Sequence, residues 1–288
     1  MMKRTYVMLA ATLAASGALA APPLPALRAD GSAVTVSGIS SGGYMAGQFQ
    51  VAYSKLVRGV GILAAGPYDC ADGSVIRALT ACMAPTRWTP PPKPADIKPR
   101  IESRARLDLI DPPSALADDK VWVLTGSADH TVERPVVDAL MGFYQQWVPA
   151  ASTRLVTLPG AGHAMISVAD GKANACDTSE PPFINRCGDF DAPGELLGFL
   201  LGGLNPKVVP EPGNLVSFDQ RPFIGGAPID ISMADEGFAY VPAACRAGGC
   251  RVHVAFHGCR QGVDALGRRF AEGAGYNAWA ESNRLVIL

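Results

Sequence analysis

Three short stretches of this chain carry the side chains that acyl transfer through a serine requires. Gly38-Ile39-Ser40-Ser41-Gly42 supplies a hydroxyl, Gly126-Ser127-Ala128-Asp129 a carboxylate and Gly160-Ala161-Gly162-His163 an imidazole. A serine hydroxyl is a weak nucleophile until a base takes its proton, and the base needs a third group to fix its tautomer and orientation. Ser40 has a glycine two positions to either side, which relieves crowding where a chain turns sharply from strand into helix. Ser37 and Ser41 fail that register. Of the four histidines, His163 follows a strand-like run and a Pro-Gly-Ala-Gly turn, which places it on a loop at a sheet edge. His130 adjoins the carboxylate, His253 lies inside a strand and His257 opens another loop. Ser40 is therefore the expected nucleophile, His163 the base and Asp129 its orienting partner. Asp118 and Asp119 precede the strand that Asp129 follows, so they fall at the opposite sheet edge.

The oxyanion formed by attack on a carbonyl needs hydrogen-bond donors, each worth ~3–4 kcal/mol in a comparable hydrolase. The backbone N–H of Ser41, next after the nucleophile, is one such donor. A second is expected from another loop, and His257-Gly258-Cys259 follows the strand-like Val252–Phe256. The even spacing of His253, His257 and Cys259 also permits a metal site on one strand face. A loop bend breaks that alignment and no further ligand cluster accompanies it. Cys259 has no elbow of its own to make it a nucleophile. No metal and no cofactor are expected.

These loops need a scaffold. Ala33–Ser37, Val60–Ala65, Lys120–Thr125 and Arg154–Leu158 read as buried strands, with helices over Tyr44–Tyr53 and Pro135–Trp147 between them. The stretch Cys70–Pro99 is proline-laden and reads as an excursion outside the core. Asn205–Pro228 reads as a surface connection. Strand signals resume at Gly237–Val241 and Arg251–Phe256, a helix is expected over Asp264–Asn283, and Leu285–Leu288 is a last apolar strand. Strands alternating with helices predict an α/β fold, a mostly parallel sheet with helices on both faces.

The 288 residues are 48% hydrophobic with a formal net charge of −1, enough for one substantial core. No basic stripe suits nucleic acid, and the neutral balance suits an uncharged substrate. Residues 1–20 read as a signal peptide: a basic start at Met1-Met2-Lys3-Arg4, an apolar run from Thr5 to Gly17 and an Ala18-Leu19-Ala20 cleavage site. No later segment is apolar and long enough to span a membrane, so residues 21–288 form the expected exported catalytic domain, extracellular or periplasmic. Export favours disulfides. Cys245 with Cys250, Cys70 with Cys82, and Cys176 with Cys187 each close a short loop, which leaves Cys259 over.

The chain resembles the single-domain secreted poly(3-hydroxybutyrate) depolymerases, esterases with a circularly permuted α/β-hydrolase fold. The likeness rests on Val36–Ala46, Ala64-Ala65-Gly66-Pro67-Tyr68, the Asp129 and His163 turns, Val252–Cys259 and Gly275-Tyr276-Asn277. It spans nearly the whole chain after residue 20. The resemblance implies Ser40, His163 and Asp129 in the roles above and the N–H groups of Ser41 and Cys259 as oxyanion donors. It implies a polyester of 3-hydroxybutyrate as substrate, cleaved through an acyl-enzyme to short hydroxyacids. Family members continue past the last strand, so the chain is expected to be truncated at its C-terminus. That would also account for the unpaired Cys259. A feruloyl or acetyl-xylan carboxylesterase uses the same triad, and an inactive remnant is the alternative from outside enzymology.

Overall fold

A computed structural model describes residues 21–225 and 233–288; the expected signal peptide lies outside them. Its strands are β1 (Asp30–Ile39), β2 (Val57–Leu63), β3 (Lys120–Gly126), β4 (Thr153–Leu158), the short β5 (Met165–Ile166), β6 (Asn174–Ala175) and β7 (Ile184–Arg186), then β8 (Leu215–Asp219), β9 (Glu236–Tyr240), β10 (Arg251–Phe256) and β11 (Leu285–Ile287). Its helices are α1 (Ser41–Ala52), α2 (Val75–Leu79), α3 (Pro94–Arg106), α4 (Arg134–Tyr144), α5 (Ala192–Leu201), α6 (Val263–Leu266), α7 (Arg269–Gly273) and α8 (Tyr276–Asn283).

Eight strands form one sheet in the order β4-β3-β2-β1-β10-β11-β9-β8. Every pairing from β4 through to β11 is parallel, while β9 joins β11 and β8 in antiparallel fashion. Parallel neighbours require crossover connections, and helices supply them. β1, β3, β4 and β10 therefore all end at one edge of the sheet, the edge where an α/β architecture binds its ligands.

Alternation along the strands divides the apolar side chains between two faces. Val36, Val60, Ile62, Val121 and Val123 pack beneath α1, α3 and α4, against Ile97, Ile101, Val136 and Leu140. Ile39, Leu63, Trp122 and Leu124 face the other way, against Leu196, Leu197 and Leu200 of α5 and Ala280 of α8. Each such fully buried aliphatic side chain contributes ~1.5–3 kcal/mol. Both faces are covered, as the alternating pattern predicts.

Several elements differ from the expectation. The proline-rich excursion ends in a core helix: α3 begins with Pro94 at a first-turn position where no N–H is needed, and Ile97 and Ile101, four apart, are fully buried. The helix expected over Asp264–Asn283 is broken into α6, α7 and α8. Gly267 at φ 58° and Gly275 at φ 99° mark the breaks, a conformation glycine adopts at little cost. Within the expected surface connection, Leu215–Asp219 is strand β8, paired with β9 at the sheet edge. The last strand, β11, lies between β10 and β9 with Leu285 buried.

The structure contains the three bonds Cys70–Cys82, Cys176–Cys187 and Cys245–Cys250, and Cys259 is a free, exposed thiol. Among the described residues no helix is long and apolar enough to cross a membrane.

Candidate active site

β1 runs into α1 through Ser40, whose backbone sits at φ 55°, ψ −123°. A side chain held there costs of order 1–3 kcal/mol and persists only where its surroundings enforce it. Here the Ser40 N–H donates to Leu63 O at 2.9 Å, and Ser40 O accepts from the Tyr44 N–H at 3.0 Å. The flanking glycines are required by close approach. A Cβ on Gly38 would lie 2.1 Å from Gly42 O, and one on Gly42 would lie 2.4 Å from the carbonyl oxygens of both Phe256 and His257. The second glycine thus lets the end of β10 touch the start of α1.

Asp129 follows β3. Its Oδ1 accepts from the N–H groups of Thr131 at 2.8 Å and Val132 at 3.0 Å, and its Oδ2 lies 2.8 Å from His163 Nδ1. The carboxylate is sealed from solvent and the imidazole nearly so. A carboxylate on Nδ1 holds the ring so that Nε2 is the nitrogen left to act as base.

The two loops that carry this pair are sewn together. The Ala128 N–H donates to Ala161 O at 2.9 Å, and the Gly160 N–H to Ser127 Oγ at 2.8 Å. A Cβ on Gly126 would lie 2.1 Å from Ala161 O. Behind His163, the loop bridged by Cys176–Cys187 supplies Ser179 Oγ to the His163 N–H at 2.8 Å and Cys176 O to the Gly162 N–H at 2.9 Å.

Ser40, Ser41, His163, Gly258 and Cys259 line one cavity of about 730 Å³. The structure therefore brings the expected nucleophile, base and both donor residues to one hollow, with Asp129 behind the base. Among the described residues, the backbone N–H groups of Ser41 and Cys259 donate to no protein acceptor. That of Gly258 is already engaged, at 2.8 Å, by Gln261 Oε1. Gln261 is buried, and its Nε2 donates to the carbonyls of Pro182 and Phe183, both at 3.0 Å. It clamps the loop His257–Cys259 to the segment behind His163. Sequence reasoning missed Gln261 and Ser179; a lone amide and a lone hydroxyl carry no spacing signal.

The remaining histidines lie elsewhere. His130 is exposed. His253 is wholly buried, 2.8 Å from Thr35 Oγ1 through Nδ1 and 2.7 Å from Ser37 Oγ through Nε2. His257 and Cys259 are exposed, so the even spacing that suggested a metal face does not bring the three side chains together. Asp119 sits before β3, at the opposite end of that strand, as expected.

The rest of the cavity wall is largely apolar: Ile39, Tyr44, Leu79, Met83, Val132 and Phe183. Such a hollow, with a few convergent polar groups, suits a small or slender uncharged ligand.

No protein-family model matches the chain. It is 40% identical over 276 residues to the poly(3-hydroxybutyrate) depolymerase of Delftia acidovorans, covering 93% of this chain and 54% of that protein. The chain thus spans about half the length of that relative. It is 36% identical over 288 residues to the polyhydroxybutyrate depolymerase of Talaromyces funiculosus, covering 96% of this chain and 80% of that one. The crystal structure of the PHB depolymerase from Penicillium funiculosum superposes with a TM-score of 0.81 at 32% identity, over 94% of this chain and 81% of its own. A serine-to-alanine PHB depolymerase complexed with an R3HB trimer gives 0.80 at 32% identity, over 92% and 81%. With sequence and fold in agreement over most of its length, the chain belongs to the polyhydroxybutyrate depolymerase family.

Proposed function

We propose that the chain is an exported serine esterase that hydrolyses poly(3-hydroxybutyrate)-type polyester to short hydroxyacids, with residues 1–20 removed on export and residues 21–288 as the catalytic domain. The observation that carries this reading is the shared cavity: a strained serine, an imidazole backed by a buried carboxylate and two uncommitted N–H groups line or back one apolar hollow. Three disulfides fit an oxidising compartment.

In the mechanism, Ser40 Oγ attacks the ester carbonyl while His163 Nε2 takes its proton. Asp129 stabilises the imidazolium through Nδ1–H. The N–H groups of Ser41 and Cys259 receive the oxyanion, Ser41 from the first turn of α1, where the helix dipole also favours negative charge. Collapse of the tetrahedral intermediate expels the alcohol, which receives the proton from His163. Water then releases the acyl group by the same steps in reverse roles. Among the described residues Ser40 Oγ makes no hydrogen bond, so the mechanism requires it to come within hydrogen-bond reach of His163 Nε2 in the Michaelis complex.

A feruloyl or acetyl-xylan esterase would use the same groups. The relatives' names and the hydroxybutyrate trimer held by a structural neighbour favour polyester. The test is clearing of a turbid polyhydroxybutyrate suspension, run beside ferulate and acetate release from xylan. Clearing with negligible ferulate or acetate supports the reading; the reverse pattern overturns the substrate. A fluorophosphonate probe that fails to label Ser40 in folded protein overturns the esterase itself.

A further inference from the structure

Apart from His163, the charged side chains lining the cavity are Asp69, Asp72 and Arg260. The two aspartates are already neutralised from α3. Arg100 lies 2.7 Å from Asp72 and 3.5 Å from Asp69, and Arg104 lies 3.1 Å from Asp69. Arg260 differs from them. Among the described residues it forms no ion pair, and its guanidinium stands 5.7 Å from the centre of the Phe183 ring.

The backbone that carries that ring is held in place. The Phe183 N–H donates to Glu180 O at 2.8 Å, and Phe183 O accepts from the Met165 N–H at 2.8 Å and from Gln261 Nε2 at 3.0 Å. The backbone of Arg260 is held at φ 63° directly after the Cys259 N–H. A guanidinium over an aromatic face keeps its planar fork of N–H donors, the group best shaped for a carboxylate. The cavity therefore offers one uncompensated cation beside an otherwise neutral, apolar wall.

A linear polyester of a hydroxyacid has one anionic group, the carboxylate at its end. Each ester carbonyl points towards the hydroxyl end of the chain and each ester oxygen towards the carboxyl end. Whichever bond is cut, the carboxylate belongs to the leaving alcohol. We propose that Arg260 binds the terminal carboxylate of short hydroxyacid oligomers and so selects carboxylate-ended chains on the leaving-group side; this rests on the esterase reading above. As Ser40 Oγ bonds to the acyl carbon, the carbon–oxygen ester bond breaks. His163 returns its proton to the departing oxygen, and a hydroxyacid anion leaves with its carboxylate at Arg260.

The experiment compares the 3-hydroxybutyrate trimer as free acid with its methyl ester, in wild type, Arg260→Gln and Arg260→Lys. The readout is the ratio of kcat/KM for acid to that for ester, which a partly misfolded preparation does not alter. The expected result is a fall in the ratio of about fivefold in Arg260→Gln, the upper range for a solvent-exposed ion pair. Arg260→Lys retains most of it, and added salt lowers the wild-type ratio. An unchanged ratio in Arg260→Gln overturns the proposal. If wild type hydrolyses neither trimer, the esterase reading falls instead. Binding of the two trimers to Ser40→Ala protein, with and without Arg260→Gln, then decides the Arg260 site: acid preference lost with Arg260→Gln supports it, and equal binding of acid and ester overturns it.

Discussion

His163 and His253 are both buried imidazoles, 5% and 0% exposed, and each links two segments of the fold, His163 through Nδ1 alone and His253 through both ring nitrogens. They differ in what faces them. His163 has a carboxylate on one nitrogen and the cavity beside it. His253 has the hydroxyls of Thr35 and Ser37 on its two nitrogens and stacks on Tyr276, whose OH lies 2.7 Å from Ser37 Oγ. Burial without a counter-charge holds His253 down at about 3, well below the ordinary histidine value. It is a neutral strut. Thr35 and His253 stand opposite each other in the β1–β10 register, so the strut links the strand that ends at Ser40 to the strand that leads to Cys259. Burial alone does not make a histidine catalytic; a carboxylate partner and an open approach do.

The largest expected effect that tests this contrast is at the cavity edge. Ser40→Ala should lower kcat by about 10⁶, as loss of the nucleophile does in a comparable triad, with little loss of thermal stability because alanine makes no new contact there. Asp129→Asn should lower kcat by about 10⁴, since the ring then settles in the wrong tautomer. Steady-state hydrolysis of a soluble ester measures both. Activity close to wild type in Ser40→Ala would mean that Ser40 is not the nucleophile, and in Asp129→Asn that Asp129 does not orient the base.

His253→Phe probes the other side of the contrast. It leaves the Thr35 hydroxyl without its buried partner and Ser37 with Tyr276 alone, at a cost of about 1–3 kcal/mol, and should reduce kcat far less than Asp129→Asn. Denaturant unfolding against pH adds a second signature. The unfolded chain gains a proton on His253 below about 6.5, whereas the folded chain resists until about 3. Stability from this group is therefore complete above pH 6.5 and drains away as the pH falls through that window. The phenylalanine variant should lose this acid slope. An unaltered slope would show that other groups set it.

The edge proposed to be catalytic was legible because its parts are local. A glycine-flanked serine after Ala33–Ser37, and turns holding Asp129 and His163 after apolar runs, announce themselves within a dozen residues. What escaped is non-local or camouflaged. α3 is hidden by Pro85, Pro90, Pro91 and Pro92 before it and by Pro99 within it, leaving only the Ile97–Ile101 spacing as a signal. α5 has a uniformly apolar run, Glu195 aside, with no distinct stripe, since it lies flat over Trp122 and Leu124. β8 is a five-residue edge strand surrounded by turn residues. The reason for Gly42 as a glycine, contact with the end of β10 more than two hundred residues away, has no trace in its own neighbourhood.

The smallest effect, and the one that extends the comparison to carboxylates, is at Asp119. Asp129 has both oxygens occupied by N–H groups, two from the backbone and one from His163. Asp119, at the other end of β3, receives only Gln50 Nε2 at 2.9 Å, and its Oδ1 is buried without a partner. Burial pushes this carboxyl up to about 7, against smaller opposing effects of the Gln50 hydrogen bond and the Arg58 charge. The folded chain thus keeps a proton that the unfolded chain releases near 3.8. The stability this confers is present below that value and is lost as the pH rises through 7. Asp119→Asn keeps an acceptor for Gln50 and puts an amide nitrogen where an oxygen already lacks a partner. The variant should be more stable than wild type at pH 8, by of order 1–2 kcal/mol, with the advantage shrinking towards pH 4 and turnover at the far edge of the sheet unaffected. Equal stability of the two proteins across that range would mean that Asp119 ionises without strain, and that one buried orphan oxygen is not enough to separate it from Asp129.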